Sequence, residues 1–124
     1  MTRQYIDVNG YWAVNVYHNV EQSDAKEIVN ALQGLRCDPE DIEDAVNVIG
    51  GLNKGFTYTC APVRMSIIAI TRATSRSEYE NTIAHECDHL KNTICDYYGV
   101  DHRSEDASYL LGDIVGEITK WMNN

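Results

Sequence analysis

Basic residues are few in this chain relative to acidic ones. Its ten lysines and arginines are set against nineteen aspartates and glutamates, a formal net charge of −9. Phosphate binding needs a basic face, so nucleic acid is excluded as the expected partner. The acids are spread along the chain rather than gathered in a tail, which is the pattern of a solvated surface. No run of 18 or more apolar residues occurs, and the opening MTRQYIDVNGYWAV holds no apolar leader core. Neither a membrane span nor a signal peptide is therefore expected.

Cysteine is scarce as well. Cys37, Cys60, Cys87 and Cys95 form no CxxC pair, which argues against a thiolate zinc site and against thioredoxin-like chemistry. They lack the density of a disulfide framework, so reduced thiols in a cytoplasmic protein are the expectation. Repeats and low-complexity segments are absent. The 124 residues, 44% of them hydrophobic, suffice for a single domain, residues 1–124, with its own core.

The stretch QYIDVNGYWAVNVYHNV reads as two strands around Asn9-Gly10, a strong hairpin signal supported by aromatic and β-branched residues. SDAKEIVNALQGLR predicts a helix capped by Ser23 or Asp24 and ending near Arg36. In DPEDIEDAVNVIGGL, Asp38 caps a second helix, Pro39 takes its first position, and Gly50-Gly51 stops it. Strand chemistry returns at Gly55–Cys60 and Met65–Thr71, with Pro62 limiting the sheet between them. A long helix from Arg76 or Ser77 to about Tyr98 ends at Gly99, and a last one runs from Ser104 to about Met122. This order predicts an α+β fold, a small antiparallel sheet packed with about four helices.

One pentapeptide carries chemistry: His85-Glu86-Cys87-Asp88-His89. At 100° per residue, Ile83, Cys87, Leu90, Ile94 and Tyr97 fall on one side of the long helix and face a core. His85, His89, Asn92 and Asp96 fall on the other, with Glu86 between the two groups. Histidines at i and i+4 stand one above the other, so two ring nitrogens reach a single zinc ion. A glutamate beside the first histidine stays outside the ligand set. There it takes a proton from activated water and passes it to a leaving amine. The bland alternative is an acidic helix whose histidines merely face solvent. The apolar strand Met65–Ile70 enters this helix after a short connector, and an extended substrate adding to that strand's edge is one expectation. A sheet-core role for the same strand is the other.

A catalytic zinc needs a third protein ligand. A metzincin-type histidine is ruled out, because Asn92 and Cys95 occupy the positions where Gly and His are required. In the last helix Ser108, Gly112 and Gly116 form a stripe of small residues, which predicts close approach of the preceding helix. Glu105 heads that stripe and stands first among the candidates, with Asp113 and His102 behind it. As a donor to the oxyanion of a tetrahedral intermediate, Tyr109, His102 and Tyr98 are the nearby options. Packing of Tyr109 between the helices is the competing expectation.

HECDH followed by SEDASYLLGDI resembles the gluzincin-type, zincin-like metallopeptidases, in which a helix bearing HExxH precedes a helix supplying a glutamate. More narrowly, the chain is similar to the small HExxH proteins of phages and mobile elements, whose second motif is a glutamate four residues before Tyr-Leu, here Glu105 before Tyr109-Leu110. The resemblance spans Met65 to about Gly116. It implies zinc held by His85, His89 and Glu105, with Glu86 as general base and a peptide or protein as substrate. The chain departs from the pattern at Asp88, where a small or apolar residue is usual; an acid there suits a partner behind the second histidine or a shallow, solvated site. A non-catalytic zincin-like adaptor or regulator, with a structural or vestigial metal site, is the rival expectation.

Overall fold

The computed structural model describes residues 1–123. Strands β1 (Thr2–Val8) and β2 (Trp12–Val20) form the expected hairpin. Asn9 and Gly10 both adopt positive φ, 52° and 81°, as a tight primed turn requires. A 3-10 turn over Gln22–Asp24 leads into α1 (Ala25–Gly34). Helix α2 (Pro39–Ile49) begins with the Asp38 carboxylate accepting from the Asp41 N–H. Strands β3 (Gly55–Cys60) and β4 (Met65–Thr71) are joined by a 3-10 turn containing Pro62. Helix α3 (Arg76–Tyr98) is capped by Ser75 and closed by Gly99 in the left-handed region. Helix α4 (Glu105–Thr119) is capped by Ser104 and gives way to a final 3-10 segment, so it stops before Met122.

The class is α+β, with one sheet and four helices among the described residues. The sheet is mixed rather than antiparallel. Its strand order is β1-β2-β4-β3, with β2 and β4 parallel and the two outer pairs antiparallel. Strand β4 therefore lies in the interior and is paired on both sides, which fits its nearly continuous apolar run. It has no free edge for a substrate; beside α3 that edge belongs to β3.

Alternation along the strands splits the core in two. Val14, Val16, Ile68 and Ile70 face α3 and α4, meeting Ile83, Cys87, Leu90, Ile94, Leu110 and Ile114. Ile67, Ala69 and Tyr17 point the other way, onto Ile28 and Leu32 of α1 and Ala45 and Ile49 of α2. Tyr97, expected in the core, is instead 46% exposed and packs edge-on against Trp12 and Tyr98.

The buried residues of α4 are Ala107, Leu110, Ile114 and Ile118. Ser108, Gly112 and Gly116 lie on the opposite, exposed face, and a Cβ built at either glycine meets nothing within 4 Å. The small-residue stripe thus faces solvent, not α3, and Tyr109 is 65% exposed rather than packed between helices. Each glycine costs the helix backbone entropy without gaining close packing. Gly112→Ala and Gly116→Ala are each expected to stabilise the protein by about 1 kcal/mol, read as a higher urea midpoint. A loss would mean that something covers this face in solution.

Candidate metal centre

The site lies where α3 crosses the β3 end of the sheet. His85 and His89 are exposed on successive turns, and their Nε2 atoms converge to 3.0 Å with the rings nearly perpendicular, at 86°. Glu86 sits behind them, only 3% exposed. Its Oε1 accepts a 2.9 Å hydrogen bond from the Thr57 hydroxyl of β3, which also donates at 3.3 Å to the Glu86 carbonyl. Oε2 is 4.0 Å from His85 Nε2. The helical wheel placed Glu86 between the two faces; contact with β3 is what buries it.

That contact depends on Gly55. A Cβ there would meet the Ala69 carbonyl at 2.8 Å, Glu86 Cγ at 3.0 Å and Thr82 Cγ2 at 3.1 Å. Its backbone φ is not in the left-handed region, so close approach is the reason for glycine. Neither Gly55 nor Thr57 was legible as a site residue, because both act across a strand–helix contact between distant segments.

The other residues of the exposed face are partly committed. His102 Nε2 is 2.5 Å from Asp96 Oδ1. Asp88 pairs with Lys91 at 3.1 Å, one turn along its own helix, and is not set behind His89. Burial, with the Glu86 charge adding, pushes the Cys87 thiol up to about 12, so it stays protonated and acts as a core side chain. Asn92 lines the same cleft as His85, Glu86 and His89, and its Oδ1 is buried without a hydrogen-bond partner.

Glu105, expected as the third ligand, is elsewhere. Helix α4 lies over β1, where Gln4 donates to the Glu117 carbonyl and Ile6 and Val8 pack on the α4 core residues. Strand order puts β1 and β3 at opposite ends of the sheet. Glu105 also points away from the core and accepts a hydrogen bond from Tyr109 at 3.1 Å. Asp113 lines a pocket with Asp7 and Asn9 of the first hairpin. Among the described residues no three His, Cys, Asp or Glu side chains converge as a metal-holding group. The pentapeptide, as folded, presents two imidazoles and a buried carboxylate.

Comparison with protein-family models, with curated proteins and with solved structures found no match to this chain. Among the described residues no helix is long and apolar enough to cross a membrane, and the four cysteines are free.

Among the described residues the donor set supplies two of the three protein ligands that a catalytic zinc needs. Two imidazole nitrogens, hydrogen-bonded to each other at 3.0 Å, stand together at the helix surface, and imidazoles are the borderline ligands that zinc favours. Beside them stand a buried carboxylate with no lysine or arginine against it among the described residues and an orphaned amide oxygen. The carboxylate is a group that a bound cation would stabilise.

Proposed function

We propose that this protein is a zinc-dependent hydrolase of peptide or amide bonds, with His85 and His89 holding the ion and Glu86 acting as general base. The burial of Glu86 carries the reading. A carboxylate taken out of water costs several kcal/mol unless a positive charge answers it, and among the described residues no lysine or arginine pairs with Glu86, whose one hydrogen-bond donor, Thr57, is neutral. When bound, zinc supplies Lewis-acid polarisation of water or of a carbonyl oxygen. The chain does the rest. Glu86 Oε2, on the His85 side of the carboxylate, takes the proton of the attacking water and hands it to the departing nitrogen. Thr57 fixes the other oxygen and so orients the base. The unpaired edge of β3 runs beside the histidines, where an extended peptide can add backbone hydrogen bonds.

A second reading, a zincin-like adaptor with a vestigial site, draws support from the outward placement of Glu105. Two protein ligands hold zinc more weakly than three. One set of measurements separates the two. Protein purified without chelator is expected to carry zinc and to cleave a mixed peptide pool. Glu86→Gln should keep the zinc while hydrolysis falls roughly 100- to 10,000-fold. Glu105→Ala should leave zinc affinity unchanged. Cleavage indifferent to Glu86→Gln rejects the catalytic role, and less than about a tenth of an equivalent of zinc under replete conditions rejects the metal site.

A further inference from the structure

The cleft beside Glu86 has two lobes, and they differ in charge. The lobe toward the C-terminus of α3 holds His89, Asn92, Thr93 and Asp96. The lobe on the other side, about 320 Å³, holds Asn53, Lys54, Asn81 and Thr82, and shares His85 and Glu86 with the first. Among the described residues Lys54 is the single lysine or arginine lining either lobe.

Two observations set Lys54 apart from an ordinary surface lysine. Its backbone is pinned to β4: the Lys54 N–H donates to Thr71 Oγ1 at 3.0 Å, and the Lys54 carbonyl accepts from both the Thr71 N–H and hydroxyl. Its stem is laid across Gly51, where a Cβ would meet Lys54 Cδ at 2.9 Å and Nζ at 3.4 Å. The missing side chain at Gly51 makes room for it. Yet the ammonium has no carboxylate partner among the described residues. Lys54 is exposed, and a cation with no ion-pair partner at the rim of a cleft, in a chain of net charge −9, is a place where an anionic group gains.

Asn81 and His85 are one turn apart, about 6 Å along α3. An extended peptide advances about 3.3–3.6 Å per residue. A group held beside Asn81 is therefore one to two residues from a bond held at His85.

We infer that Lys54 binds a carboxylate of the peptide substrate, lying within two residues of the bond to be cleaved. The inference rests on the hydrolase reading. Its chemistry is shared by an Asp or Glu side chain and by a free C-terminal carboxylate, and the test separates these sources.

Full-length Glu86→Gln protein, loaded with zinc, would be titrated by NMR with three hexapeptides. One is neutral and capped at both ends, one is capped with an internal glutamate, and one is neutral with a free C-terminus. One of the acidic peptides is expected to bind about tenfold more tightly than the capped neutral one, moving the amide signals of Lys54, Asn81 and Thr82. Lys54→Met should abolish that preference while leaving the melting temperature and zinc content unchanged. Three peptides binding alike, no binding by any at millimolar concentration, or a preference that survives Lys54→Met would each overturn the inference. The hydrolase reading fails separately, through absent zinc or cleavage indifferent to Glu86→Gln, and a Lys54-dependent preference could outlive that failure.

Discussion

Gly55→Val is expected to destabilise the protein by about 1–3 kcal/mol and to separate Glu86 from Thr57. The new side chain would start 2.8 Å from a backbone oxygen, that of Ala69. This oxygen cannot retreat cheaply, because β4 is tied on one side to β3, where Phe56 pairs with Ala69, and on the other to β2, where Tyr17 does. The softer response is for α3 to lift away, since Thr82 and Glu86 are the next atoms met. Urea unfolding with an unchanged slope measures the cost. Zinc affinity of the same variant reports whether the carboxylate has left the histidines. Gly55→Ala should follow in the same direction with a smaller effect. Valine favours strands by its own propensity, so a neutral or stabilising result would show that the strand–helix contact is looser than these distances.

Acid is the second lever. His18 is fully buried; its ring stacks on Trp121 with centroids 4.1 Å apart. Gln4 Nε2 donates to the Glu117 carbonyl, which turns Gln4 Oε1 toward His18 Nε2 at 2.8 Å. An amide oxygen only accepts, so Nε2 carries the proton and Nδ1 accepts from the Tyr79 hydroxyl at 2.5 Å. Burial pushes the Tyr79 phenol up, which keeps that proton in place. A second proton would have to sit on Nδ1 and reverse the Tyr79 hydrogen bond, and burial of the charged ring lowers the His18 pKa from 6.5 to about 4. The unfolded chain therefore binds a proton below pH 6.5 that the folded chain refuses until about pH 4. Stability from this group is intact above pH 6.5. It falls by about 1.4 kcal/mol per pH unit between the two values and levels off below, a total near 3 kcal/mol. His18→Gln should be less stable at pH 7 yet lack this part of the slope. Denaturation midpoints for both proteins at several pH values between 7 and 4 would show it, and parallel curves would refute it.

The elements themselves were plain in the sequence, since each is written locally. Asn9-Gly10 marks the hairpin, Asp38-Pro39 opens α2, and Gly99 closes α3. The pentapeptide's place on α3, with both histidines outward, follows from a period of 3.6. Neighbours were harder to read. Periodicity says that a face is buried but not what buries it, so β4 was offered an edge that belongs to β3. The glycines of α4 suggested helix contact because a packed glycine and a solvent-facing one look the same in a sequence. Glu105 failed for a related reason: its place depends on α4 lying over β1, a pairing of segments a hundred residues apart in the chain. Of the site, the histidines and the glutamate were legible. Thr57, Gly55 and Lys54 were not, because their meaning arises only once β3 is laid beside α3.

The parallel joint between β2 and β4 has a kinetic consequence. Both hairpins and all four helices can begin from near neighbours, but Val14 reaches Ser66 only after α1, α2 and β3 have been made. That closure is a non-local, slow event of folding. Until it occurs, α3 has only the β3–β4 hairpin to dock on, and the two imidazoles ride on a helix that is half supported.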